Sequence, residues 1–123
     1  MPSRILVVED DERSRRLLCD VLGFHGYAVD AFESGEAALA HVPARPPDLA
    51  LLDIQLPGMN GFEVLRTLRR EARRIPVLAV TASVMDHDRR MIVEAGFDAY
   101  VPKPVNMKEL LATLREMLDE PMP

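Results

Sequence analysis

Apolar residues in this chain come in two rhythms. Short runs dominated by apolar residues fall at 5–8, 28–32, 49–52, 77–80 and 99–101. Between and after them, at 12–24, 35–41, 62–73, 86–95 and 107–118, apolar residues recur every three or four positions. The first rhythm predicts strands and the second amphipathic helices. A strand wet on one face alternates apolar with polar residues, whereas a strand covered on both faces need not. The runs ILVV at 5–8, LALL at 49–52 and VLAV at 77–80 are apolar throughout, so they read as strands buried on both sides. Strands alternating with helices of this length predict βαβ crossovers and a parallel sheet. About five such units make a three-layer, doubly wound α/β fold.

Local punctuation agrees with these boundaries. Gly26 and Gly96 follow helical stretches, where a left-handed cap is wanted. Asn60, Ser83 and Asn106 each stand three residues before an acid (Glu63, Asp86 and Glu109), the pattern of a capping box. The segment Ala44-Arg45-Pro46-Pro47 reads as a rigid loop before the third strand.

Composition narrows the class. The 123 residues suit one domain spanning 1–123, with 118–123 expected as a frayed tail. Hydrophobic residues at 48% and charged ones at 28% are ordinary for a soluble globular protein. A net charge of −5 argues against a general nucleic-acid or anionic-membrane surface. The first apolar run is too short for a signal peptide, and no stretch is long enough to span a bilayer. Cys19 is the one cysteine, which excludes an internal disulfide and fits a reducing cytoplasm. It lies among apolar helix positions and reads as a packed thiol.

The candidate chemistry begins where the first strand ends, in four consecutive acids: Glu9, Asp10, Asp11 and Glu12. Two carboxylates about 4 Å apart repel by about 4 kcal/mol at an effective dielectric of about 20, so such a cluster needs compensation. In an open parallel sheet, ligands bind beyond the carboxyl ends of the strands, where strand order reverses. Asp53, Thr81 and Lys103 follow the third, fourth and fifth strands, and join the acids of the first at that end. Only Glu33-Ser34 follows the second strand, an edge strand in the flavodoxin-like order 2-1-3-4-5. Hard oxygen ligands without a neighbouring histidine or cysteine favour Mg²⁺ over zinc or copper. A divalent ion, a lysine, a hydroxyl and a carboxylate together are equipment for phosphoryl transfer.

The segments ILVVEDDE, LALLDIQLPGMNGFEVL, IPVLAVTA and DAYVPKP are similar, in order and spacing, to the signature segments of the response-regulator receiver domain, and the resemblance covers nearly the whole chain. It implies five parallel strands in the order 2-1-3-4-5 with helices on both faces. It implies Asp53 as phosphoacceptor, and Glu9, Asp10, Asp53 and the Gln55 backbone carbonyl as the shell of Mg²⁺, with Mn²⁺ able to substitute. Asp10 would bind the ion directly and Glu9 through water. Thr81 and the Ala82 N–H resemble the groups that bind phosphoryl oxygens. Lys103 resembles the lysine that pairs with the phosphoryl group, with Lys103-Pro104 a cis peptide. Thr81 and Tyr100 resemble the switch pair that moves the face of the fourth helix, fifth strand and fifth helix, and Gln55 and Ser83 lie where access of hydrolytic water is tuned. The implied partners are a histidine kinase or histidine phosphotransfer protein and a downstream target protein. The implied states are monomer or phosphorylation-dependent dimer, acting as a phosphoacceptor rather than a turnover enzyme. Arg15 and Arg16 of the first helix and the loop Pro104-Val105 are the expected docking surface.

Several residues have plainer roles. Asp11 reads as the N-cap of the first helix rather than a ligand, and Glu12 as solvated first-turn charge. Tyr100 could simply pack. His25, His41 and His87 share no metal-ligand spacing and read as surface or loop residues, and Gly58-x-x-Gly61 reads as loop geometry. Two other functions compete. An aspartate-nucleophile phosphohydrolase wants an acid two residues after the nucleophile, where Gln55 stands. A flavodoxin-like small-molecule binder wants a phosphate loop after the first strand, where EDDERS would repel a phosphate. After the fifth helix only DEPMP remains, which reads as a stand-alone receiver, with a receiver cut from a hybrid kinase or longer regulator as the alternative.

Overall fold

A computed structural model describes residues 2–71, 74–82 and 85–118. Five strands, Arg4–Val8 (β1), Ala28–Phe32 (β2), Leu49–Asp53 (β3), Val77–Thr81 (β4) and Ala99–Pro102 (β5), alternate with five helices. The helices are Glu12–Phe24 (α1), Gly35–His41 (α2), Gly61–Glu71 (α3), Asp86–Ala95 (α4) and Met107–Met117 (α5). All strand pairs are parallel, in the order β2-β1-β3-β4-β5.

The apolar runs are buried because the sheet has a layer on each face. Leu6, Val8, Ala50, Leu52, Val77 and Ala79 face Ala38 of α2, Val64, Leu65 and Leu68 of α3, and Ile92 of α4. Ile5, Val7, Leu49, Leu51, Leu78 and Val80 face Leu18 and Leu22 of α1 and Leu110, Leu111 and Leu114 of α5. Neighbours along a strand thus serve opposite layers, and a slip of one residue would exchange them. The edge strand β2 is only half-buried.

Several strands run one residue further than the change from apolar to polar suggests. Asp53 still pairs with Val80, and Thr81 with Pro102; backbone pairing does not stop where the side chain becomes polar. The two residues of interest are therefore held by the sheet itself. Asn60 caps α3, with its Oδ1 accepting from Glu63 N (3.0 Å) and Glu63 Oε1 accepting from Asn60 N (3.2 Å). The helix begins one residue earlier than the expected 62, and residues 72–73 of the expected span lie outside the described residues. Asn106 caps α5 through Glu109 N, and α5 closes at Met117 with Leu118 as its cap residue.

The start of α4 differs from the expected capping box. Met85 occupies the cap position with no side-chain hydrogen bond, which makes Asp86 the first helical residue rather than the third; Ser83 lies outside the described residues. Gly26 and Gly96 adopt φ of 93° and 107°, as expected of C-terminal caps. At the opposite end of the sheet from the acids, Asp98 Oδ2 accepts from Val77 N (2.8 Å) and Arg69 Nη2 (3.0 Å), tying α3, β4 and β5 together.

His41 corrects an expectation. It is not a free surface residue but the half-buried last residue of α2, 5.0 Å from the Phe32 ring and with Nε2 3.4 Å from Asp30 Oδ2. Its ring packs between α2 and the edge strand, against Phe32 and beside Asp30. His25 is exposed at the cap of α1, as expected. No described helix is long and apolar enough to cross a membrane.

Candidate functional site

Among the described residues, three polar or charged ones are buried: Glu9 (2% exposed), Asp53 (4%) and Thr81 (3%). Glu9 directly follows β1, and Asp53 and Thr81 end β3 and β4; these are the three central strands. Glu9 is fixed through its main chain, its N–H donating to the Phe32 carbonyl (3.0 Å) and its carbonyl accepting from Arg15 Nη1 (3.0 Å). Its Oε2 accepts from Asp11 N (3.2 Å), and its Oε1 lies 2.9 Å from Lys103 Nζ. Asp53 is held at both oxygens, Oδ1 accepting from Gln55 N (3.0 Å) and Oδ2 from Lys103 Nζ (3.0 Å).

Lys103 thus bridges the two buried carboxylates. It reaches them from the loop after β5, where its N–H donates to the Thr81 carbonyl (2.8 Å) and its bond to Pro104 is cis, as expected. Burial by itself would lower the Lys103 pKa; the hydrogen bonds to Glu9 and Asp53 outweigh it and hold the ammonium above its ordinary range. For Glu9 the balance goes the other way. Burial first, then the adjoining Asp53, raise its carboxyl above the ordinary range despite Lys103. One ammonium does not compensate the cluster.

Asp10 is exposed at the rim, and single carboxylate oxygens of Glu9, Asp10 and Asp53 lie within 4.8 Å of one another. Three hard oxygen donors at that spacing, two of them buried, suit a small divalent cation and not a soft one. The start of α3 sets the depth of the site: a Cβ on Gly61 would stand 2.6 Å from the Asp53 carbonyl oxygen, so only glycine lets the helix approach this closely. Gln55 and Ala82 are exposed beside Asp53 and Thr81. Asp11 accepts from Ser14 N (2.9 Å) as the cap of α1, as expected, and that bond chiefly lowers its pKa.

Tyr100 projects from the same face of the sheet as Thr81, packed half-buried against the α3–α4 layer. Arg89 of α4 sits over its ring, 5.5 Å from the centroid. A groove of about 470 Å³ opens beside the acids, lined by Leu17 and Leu18 of α1, by Pro104, Val105 and Met107, and by Glu9 and Lys103. Of the two arginines expected on this surface, Arg16 is exposed, but Arg15 is half-buried and committed to the Glu9 carbonyl. The expectation for Arg15 is corrected accordingly: a guanidinium bonded to main chain is not a free docking group. Neither that bond nor the Arg89–Tyr100 contact was foreseen, since no spacing rule links either pair. Cys19 is half-buried on α1, and burial raises its thiol pKa, which fits a packed rather than reactive role.

An open parallel sheet that gathers an acidic triad and a bridging lysine at its switch point defines a class: flavodoxin-like phosphoryl-handling domains. The profile described as "Response regulator receiver domain" matches residues 5–115, and the chain belongs to that family. Response regulator MprA of Mycolicibacterium vanbaalenii is 40% identical over 123 residues, which is 100% of this chain and 53% of MprA. MprA of Mycobacterium tuberculosis is 39% identical over 100% of this chain and 54% of its own length. The chain spans about half the length of these curated relatives. Among solved structures, a CheY-like receiver domain protein from Methanospirillum hungatei superposes with a TM-score of 0.90 at 34% identity, covering 97% of this chain and 95% of that one. The BeF3-activated N-terminal receiver domain of Klebsiella pneumoniae RstA gives 0.88 at 33%, covering 95% and 99%. The chain is a response-regulator receiver of two-component signalling, a phosphoacceptor by class, and the phosphohydrolase alternative is not favoured.

Proposed function

We propose that Asp53 accepts a phosphoryl group from a phosphohistidine of a histidine kinase or histidine phosphotransfer protein, with Mg²⁺ held by Glu9, Asp10, Asp53 and the Gln55 carbonyl. The observation that carries this is the Lys103 bridge: its ammonium lies 2.9 Å and 3.0 Å from two buried carboxylates that share a cation-sized space with Asp10. Mg²⁺, or Mn²⁺ in its place, would neutralise the carboxylates and draw charge from the phosphoryl oxygens.

The chain's own groups do the rest. A carboxylate oxygen of Asp53 attacks phosphorus in line; the new O–P bond forms as the P–N bond breaks, and the electron pair leaves with the imidazole. Lys103, now bonded to Asp53 Oδ2, would pair with a phosphoryl oxygen as the negative charge moves there, and Glu9 would be among the residues that hold the cation. The Thr81 hydroxyl and the Ala82 N–H take another oxygen. Thr81 is drawn toward the acyl phosphate, and Tyr100, on the same face of the sheet, turns into the space it leaves. That biases the α4–β5–α5 face between two arrangements read by a downstream target.

Gln55 and Ser83 set the lifetime of the acyl phosphate through access of water, so turnover is slow and self-limited. The donor docks on the groove between α1 and Pro104-Val105, where exposed Leu17 offers apolar contact. Partners are proteins rather than nucleic acid or membrane, the setting is cytoplasmic, and phosphorylation governs any dimerisation. RstA's receiver being known in a BeF3-activated form supports the same phosphoryl-driven response here. The test is transfer of label from a small acyl-phosphate donor. The parent should take up label with Mg²⁺ and lose it with chelator, and Asp53→Asn should take up none. Equal labelling of the parent with and without metal would contradict the metal-assisted reading.

A further inference from the structure

Arg89 is an exposed α4 side chain whose guanidinium carbon lies 5.5 Å from the centroid of the Tyr100 ring, inside the distance at which a cation is held by an aromatic face. None of the described side chains forms an ion pair with it. Tyr100 also lines a surface groove with Pro102, Asn106, Glu109 and Thr113, and its strand β5 is at the edge of the sheet. In register Tyr100 lies beside Ala79, two residues before Thr81 on the same face of β4. Motion of the ring along that face toward Thr81 would carry it out from under Arg89. The contact is made with the ring where it stands in this structure.

We propose that Arg89 is a latch that holds Tyr100 in its outward position and so sets how readily the domain responds to a phosphoryl group on Asp53. This rests on the reading of Asp53 and Tyr100 given above. A cation over an exposed or half-exposed ring contributes about 0.5–1 kcal/mol, and an equilibrium biased by that amount shifts about two- to fivefold. The planar guanidinium matches the ring as an ammonium does not.

The probe is beryllofluoride with saturating Mg²⁺, with its binding isotherm measured for the parent, Arg89→Gln, Tyr100→Leu and the double variant. In the Tyr100 background, Arg89→Gln should bind beryllofluoride about two- to fivefold more tightly, because the outward state has lost its support. In the Tyr100→Leu background the same substitution should change nothing. Loss of a positive charge acting at a distance would instead weaken anion binding, and would do so equally in both backgrounds; that result overturns the latch. So does an Arg89→Gln variant that binds like its parent. A folded parent that binds Mg²⁺ but no beryllofluoride overturns the phosphoacceptor reading itself, and the latch with it.

Discussion

Glu9 is the most buried carboxylate of the acidic cluster. Buried beside Asp53, its carboxyl is raised above the ordinary value of 4.5, by burial first and by Asp53 second. A carboxyl raised in the folded state binds its proton more tightly there than in the unfolded chain, so stability falls as pH climbs from 4.5 through the raised value. In chelator at neutral pH, Glu9→Gln should therefore melt higher than the parent, with the difference shrinking as pH falls toward 4.5. Saturating Mg²⁺ should reverse the order, because an amide is the weaker ligand for a hard cation. Melting curves in the four conditions check this; a Gln variant that melts lower in chelator at neutral pH would contradict it. The position of Glu9 was legible in the sequence because it follows an unbroken apolar strand. Asp53 and Thr81 were legible for the same reason, and Lys103 because it follows the fifth strand. The half-buried His41 and the Arg15 bond to the Glu9 carbonyl were not, since each joins separate elements through a side chain whose direction no periodicity records.

At the scale of elements, α3 is the one that shapes the acceptor. Its first residue, Gly61, lies so close to the end of β3 that an added Cβ would meet the Asp53 carbonyl oxygen at 2.6 Å, while the Asn60–Glu63 box fixes the helix start from the solvent side. Two substitutions separate stability from geometry. Asn60→Ala should cost about 1 kcal/mol by loss of the cap, with phosphoryl uptake nearly unchanged. Gly61→Ala should cost about 1–3 kcal/mol through overpacking and should slow phosphoryl uptake by more than its stability loss accounts for. Denaturant melts and uptake rates on both variants decide this; equal uptake rates would remove α3 from the geometry of Asp53. Element ends were the least legible feature of the fold. The strands run on through Asp53 and Thr81 because backbone pairing continues past the apolar run. The α4 span is the expected 86–95, but its cap position is held by Met85 with no side-chain hydrogen bond.

For the molecule as a whole, the order β2-β1-β3-β4-β5 brings four distant segments of chain to one point, and the two apolar layers hold them there. Layer assignment was legible from apolar strands between amphipathic helices; the lysine bridge needed the three-dimensional structure. If the acids are compensated by a cation, Mg²⁺ should stabilise the entire fold by about 2.7 kcal/mol at a hundredfold excess over Kd. A thermal midpoint that ignores Mg²⁺ would count against the metal site. The central claim, that Asp53 is the phosphoacceptor, is tested most directly by intact mass after incubation with Mg²⁺ and a small acyl-phosphate donor, followed by treatment with hydroxylamine. The account predicts a gain of one phosphoryl group that hydroxylamine removes and that Asp53→Asn never acquires. A gain that persists in Asp53→Asn, or that survives hydroxylamine, would place the phosphoryl group on another residue and contradict it.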